Sequence, residues 1–208
     1  MQPTREAGTL DPAVELWLDP VCPFSWNTAR WLAEVAEASE FDIEWHLMSL
    51  AVLNEGQTLP PPAQARMEDS RRIGRLMAAI QGELGQSGLS AAYFAFGTAY
   101  FDHDVAVDEH LATQVLKTAG AQVATVSSMS DASLDATVRR SHEASQEALG
   151  MSGGSPMVTI GGRTLFGPVL TSVPDRHTHR ALFDAITALA NTPQFSQLER
   201  PRASQGSH

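Results

Sequence analysis

With 208 residues and a hydrophobic share of 43%, the chain is long enough to bury one sizeable core and short for two independent domains. Its formal net charge of -10 argues against nucleic-acid or anionic-membrane partners, whose binding needs clustered Lys and Arg. One cysteine, Cys22, excludes an internal disulfide framework and a thiolate-rich zinc centre, so any redox chemistry must draw on an external thiol.

The N-terminal MQPTREAGTLDP carries no basic segment followed by an apolar run, and no stretch approaches the roughly 18 apolar residues of a membrane span, so cytoplasmic residence is the expectation. Residues 14–19, VELWLD, alternate Val14, Leu16 and Leu18 against Glu15, Trp17 and Asp19, the pattern of a strand ending at Pro20. Cys22 follows directly. From Ser25 onward Ala29, Leu32, Ala33 and Ala36 recur at helical spacing, predicting an amphipathic helix that stops before Phe41. Phe41, Ile43, Trp45 and Leu47 then alternate as a second strand, after a crossover of a length that suits a parallel βαβ unit.

Residues 54–63, NEGQTLPPPA, read as a loop, because three successive prolines interrupt both helix and ladder. A helical region follows. One face carries Ile73, Leu76, Met77, Ile80 and Leu84; a second helix holds Leu111, Val115, Leu116 and Ala119 and closes at Gly120; a third is capped near Ser130 or Asp131 and stops at Gly150. Strands resume in MVTIGGRTLFG, where Gly161-Gly162 suits a tight hairpin, and Asp175 opens a last helix with Leu182, Phe183, Ile186 and Leu189. The order β, α, β, helical insert, β-hairpin, α is thioredoxin-like: an α/β fold with a helical insertion subdomain. The expected division is a split thioredoxin-like domain over 12–63 and 151–192, the insertion over 64–150, and a polar tail over 193–208.

A cysteine at the first turn of a helix meets unpaired backbone N–H groups and the positive end of the helix dipole, so its pKa is expected to fall. Pro23 suits an early helical position, and Ser25 can point a hydroxyl at the sulfur. The plain alternative is a buried cysteine acting as a small hydrophobe. In GGSP, residues 153–156, Pro156 opens a strand; a cis Ser155–Pro156 bond facing the sulfur would offer the backbone of Ser155 as a docking edge for a thiol ligand. His103, in FDHDV, is a candidate to bind or protonate a substrate, against the plainer reading of a solvated loop histidine. His177 and His179 diverge on a helix and suggest no metal site; Trp26, Trp31 and Trp45 read as core, and the acidic residues as a solvated surface.

Beyond these readings, DPVCPFSW, HLMSLAVLNE, GSPMVTIGG and LFGPVL, in that order, resemble the DsbA-like branch of the thioredoxin superfamily and, within it, the mycothiol-dependent nitroreductase family. Members of that family carry a DP-x-CPWCW-like site, an MSLA-x-LNE stretch and a late FGPVL. The resemblance implies a thiol-disulfide oxidoreductase with no tightly bound cofactor, which uses mycothiol as cosubstrate on electrophilic or nitroaromatic compounds, with a mycoredoxin-like reductant as a further partner and a monomeric or homodimeric state. By the same resemblance Cys22 matches the nucleophile, Phe24 the tryptophan between the cysteines, Pro156 the cis-proline and Asn54 the asparagine of LNE. Ser25 departs from it. A serine stands where the family has its resolving cysteine, and a hydroxyl cannot expel a thiol from a mixed disulfide. The chain is either a natural monothiol protein or a form whose resolving cysteine was replaced. Two rivals remain: a kappa-class-like thiol transferase or isomerase of similar fold, and a non-catalytic thiol-binding module.

Overall fold

In the computed structural model, which describes residues 13–201, four strands form one sheet in the order β2-β1-β3-β4. The expected leaderless N-terminus and the far end of the tail, residues 1–12 and 202–208, lie outside the described residues. Strand β1 (Val14–Leu18) pairs in parallel with β2 (Ile43–Leu47) through the crossover helix α1 (Pro23–Ser39), and antiparallel with β3 (Met157–Ile160). The hairpin to β4 (Arg163–Phe166) turns at Gly161 and Gly162, both at positive φ, which glycine adopts without a Cβ penalty. This is the thioredoxin-like arrangement.

Period-two alternation sends Val14, Leu16 and Leu18 to one face with Val158 and Ile160, where they meet Ala29, Leu32 and Val35 of α1. The opposite face carries Trp17 and its cross-strand partner Met157, packed with Met48 and Leu149.

Between β2 and β3 the chain is helical. A short α2 (Leu50–Leu53) leads to α3 (Pro61–Gly97), α4 (Glu109–Ala119) and α5 (Asp135–Leu149), the last two closed by Gly120 and Gly150 in the left-handed region. The loop expected over 54–63 is shorter than the prolines suggested. Pro60 caps α3, and Pro61 and Pro62 occupy its first turn, where a missing N–H satisfies no bond anyway. Gly85, at φ 67 and ψ -151, kinks this 37-residue helix. A wide turn over Thr98–Asp102 follows α3, and α6 (His179–Ala190) packs on α1. Among the described residues no helix is long and apolar enough to cross a membrane.

Trp26 joins the insertion to α1. Its ring is buried, stacks on Phe101, meets Tyr93 edge-on and lies directly over Gly97. A Cβ at position 97 would fall inside the contact distance of the indole. Gly97→Ala is therefore expected to destabilise the fold by about 1–3 kcal/mol through overpacking, read as a lower midpoint in denaturant titration; an unchanged midpoint would show that the indole moves aside freely.

Candidate active site

Cys22 is the N-cap of α1 and Pro23 its first residue, so the sulfur stands where the expected helix start placed it. Two buried contacts define its surroundings. The Cys22 thiol donates to the Ser155 carbonyl oxygen at 3.2 Å, and the Ser25 and Ser155 hydroxyls are hydrogen-bonded to each other. The Ser155–Pro156 bond is cis, and the Pro156 carbonyl accepts from Gly167 N–H at 2.8 Å. Thr28 Oγ1 donates to the Pro168 carbonyl and Asn27 Nδ2 to that of Leu170, so the FGPVL segment is fastened to the first turns of α1. Cys22, Ser25, Ser155 and Pro156 are thus one group, from segments more than a hundred residues apart.

Beneath this group lies Asp19, which is fully buried; reading the acidic residues as a solvated surface fails here. Its Oδ1 accepts from Val21 N–H at 2.8 Å, and its Oδ2 from Leu50 N–H and the Ser70 hydroxyl, both at 2.6 Å. Its own N–H donates to Ser155 Oγ at 2.8 Å. The signal was an ionisable residue at the end of an apolar strand, three positions before the cysteine, but strand alternation alone gives it no partner.

The expected fall in the Cys22 pKa is not found. Burial pushes the thiol above its ordinary value, against the lowering by the Ser25 hydroxyl and N–H, and the Asp19 carboxylate pushes it further up. Desolvation of an almost enclosed sulfur outweighs the helix terminus. Burial likewise raises the Asp19 carboxyl, even with three donors aimed at it. Tyr93, also enclosed and with no hydrogen-bond partner for its hydroxyl, is raised by burial first and then by the negative charges of Cys22 and Asp19.

The remaining candidates are more peripheral. Pro23 and Phe24 are half-buried beside the sulfur. Asn54 ends α2, where its Nδ2 donates to the Leu50 carbonyl at 2.8 Å and reaches Met67 Sδ at 3.7 Å. His103 is exposed, next to Asp102, whose Oδ1 accepts from Trp26 Nε1 at 3.1 Å and pairs with Arg30 at 3.6 Å. Among the described residues no group of three or more His, Cys, Asp or Glu stands together as metal ligands.

A thiol at the head of the crossover helix, facing the residue before a cis-proline, defines a thiol-dependent oxidoreductase on a DsbA-like thioredoxin fold. The chain belongs to the Rv2466c-like family, described by its mycothiol-dependent nitroreductase Rv2466c, whose model matches residues 21–200. The chain is 27% identical over 196 residues to the uncharacterised protein Rv2286c of Mycobacterium tuberculosis, covering 91% of this chain and 82% of that one. Its fold is similar to that of the cytosolic disulfide reductase DsbM from Pseudomonas aeruginosa solved with GSH, with a TM-score of 0.57 at 13% identity over 85% of this chain and 99% of that one. It is equally similar to 2-hydroxychromene-2-carboxylate isomerase, with a TM-score of 0.58 at 17% identity over 85% and 94% of the two chains.

In Asp19→Asn, whichever way the amide turns, its NH2 faces at least one backbone N–H that the carboxylate satisfied. The expected cost is about 1–3 kcal/mol in stability. Removing the charge that pushes the thiol up should also move the midpoint of Cys22 alkylation to lower pH, from a wild-type value above that of an ordinary cysteine. An alkylation profile that stays put while stability falls would show that Asp19 acts on packing alone.

Proposed function

We propose that the protein is a monothiol reductase in which Cys22 works with mycothiol to reduce electrophilic or nitroaromatic compounds. The observation that carries this reading is the placement of the sulfur: a lone cysteine at the head of α1, its thiol bonded to the Ser155 carbonyl just before a cis-proline. Strong oxidants of this fold owe their power to a stabilised thiolate, which makes their disulfide easy to reduce. At Cys22 burial outweighs the stabilisation that Ser25 gives the thiolate, so in this reading the thiol yields electrons more readily and the chemistry favours reduction of the substrate. Family membership supports mycothiol as the thiol.

In this reading the sulfurs of Cys22 and one mycothiol each lose a proton and join as a mixed disulfide. The two electrons and two protons released convert a nitro group to nitroso and water. A second mycothiol thiolate, or a redoxin of the mycoredoxin type, then attacks the mixed disulfide and returns Cys22 as the thiol. Ser25 cannot take that last role, because a hydroxyl neither expels a thiol nor forms a disulfide. Pro23 and Phe24 would form the rim against the substrate, Pro156 and the Ser155 backbone the edge that docks the incoming thiol, and His103 an outer polar contact.

A second reading follows from two hydroxyls bonded to each other beside the sulfur, Ser25 in the first turn of α1 and Ser155 before β3. In it they hold the thiolate of a bound thiol for transfer or isomerisation, and no disulfide forms on the protein.

Intact-mass analysis during turnover separates these readings. The wild-type chain is expected to carry one mycothiol that persists until external thiol is added, and Cys22→Ala to lose both adduct and turnover. Ser25→Cys is expected to shed the adduct without external thiol, closing an internal disulfide. Turnover without an adduct would transfer the assignment to the transferase or isomerase reading, and saturable thiol binding without turnover to a binding module.

A further inference from the structure

Helix α5 binds both of the segments that lead into the thiol site, and its polar contacts fall on successive turns. Arg139 pairs with both carboxylate oxygens of Glu55, at 2.9 and 3.0 Å, directly after Asn54. Ser141 Oγ donates at 2.6 Å to the carbonyl of Leu47, the last residue of β2. Two turns beyond Arg139, Gln146 Oε1 accepts the Gly153 N–H at 2.7 Å. A backbone N–H only donates, so the oxygen of this amide, not its nitrogen, faces the loop. Its Nε2 donates at 2.9 Å to Ser145 Oγ, a buried hydroxyl that itself donates to the His142 carbonyl at 2.6 Å. The Gln146 amide is thus held at both ends.

Its partner is a stretch of chain that needs holding. Gly153 and Gly154 lead into Ser155 and the cis-proline, and glycine loses more conformational freedom on folding than any other residue. A Cβ at Gly153 would fall inside the contact distance of Leu149 Cδ2, so the backbone there lies close against the last turn of α5. At the other end the Asp19 N–H bonds Ser155 Oγ at 2.8 Å. Gln146 and Asp19 therefore fix the two ends of a three-residue arm that carries the Ser155 backbone.

We propose that Gln146 is a positioning residue for thiol docking: by holding Gly153 against α5 it sets the path of the Ser155 backbone, so that a thiol bearing amide groups beside its sulfur can pair with that edge while its sulfur meets Cys22. The proposal rests on the docking role given to Ser155 in the proposed function, and adds what holds the edge and which chemical kind of thiol depends on it. The step it governs is exchange. The Cys22 thiolate attacks one sulfur of a disulfide, a new S–S bond forms, and the other half leaves as a thiolate that takes up a proton from water. Gln146 gives and takes no proton in this step.

The test compares two uncharged disulfides by the rate at which intact mass shows a mixed disulfide on Cys22, with neither mycothiol nor a nitroaromatic compound present. Diacetylcystine diamide carries an amide on each side of its sulfur, and bis(hydroxyethyl) disulfide carries none. The wild-type chain is expected to react faster with the first. Gln146→Ala should slow that reaction about tenfold, the effect of losing one well-placed hydrogen bond, and leave the second within about twofold. Gln146→Glu, whose carboxylate still accepts the Gly153 N–H, should restore most of the rate.

A role in stability alone would lower the melting temperature of Gln146→Ala and change both rates alike. Equal slowing of the two disulfides, no slowing of either, no recovery in Gln146→Glu, or a wild-type chain indifferent to the amides would overturn the proposal. Failure of the reductase reading looks different. A chain that shows the full pattern yet reduces no nitro group keeps Gln146 as the docking residue and loses that reading, whereas one that forms no adduct with either disulfide loses Cys22 as an exchanging sulfur and this proposal with it.

Discussion

One carboxylate without water around it ties the active end of the molecule together. Asp19 leaves the end of β1, holds the turn into α1 through Val21 N–H, the start of α2 through Leu50 N–H, and α3 through the Ser70 hydroxyl. Three separate segments therefore converge on one buried side chain. Losing water is expensive for a carboxylate, and donors at 2.6–2.8 Å offset only part of that cost, since burial still leads the effects on its pKa. The geometry of Cys22 is inherited from this clamp: the Cys22 N–H bonds the Asp19 carbonyl at 3.1 Å, and the Asp19 N–H reaches Ser155.

The sulfur shows how two local rules can oppose each other. A helix N-terminus favours an anion by roughly 0.3–1 kcal/mol, up to about 2 in partly buried geometry. Full burial can shift an ionisable group by about 3–5 pKa units, each close to 1.4 kcal/mol. With Cys22 only 4% exposed, the second effect is the larger and the resting sulfur is a thiol. A higher thiol pKa reduces the thiolate fraction but makes each thiolate a stronger nucleophile and a poorer leaving group. That combination suits the proposed role, in which the sulfur gives electrons and waits for an external thiol.

Much of this was legible in the sequence because it is carried by short-range pattern. Alternation in VELWLD and the helical spacing from Ala29 to Ala36 place Cys22 at the strand-to-helix junction, and Pro156 at the head of β3 follows from the hairpin signal. What stayed hidden depends on long-range partners. Asp19 meets Ser155 across 136 positions, and no local period announces that a charged residue at a strand end will be enclosed. The direction of the Cys22 pKa fails for the same reason, since the helix terminus is visible in the sequence and the burial is not. The proline run misled in another way: the rule against proline inside helices does not apply to their first turn, and α3 starts there.

The helical region between β2 and β3 also reaches the surroundings of the sulfur. It supplies Ser70 to Asp19, Asp102 to the Trp26 indole, and Tyr93, whose enclosed hydroxyl feels the charges of Cys22 and Asp19. Three acids, Asp19, Cys22 and Tyr93, thus share a site with little water, and ionisation of one opposes ionisation of the others. Such a site tolerates few negative charges at once. In the proposed reaction the Cys22 anion is then best formed briefly, when an incoming thiol or disulfide takes up its charge.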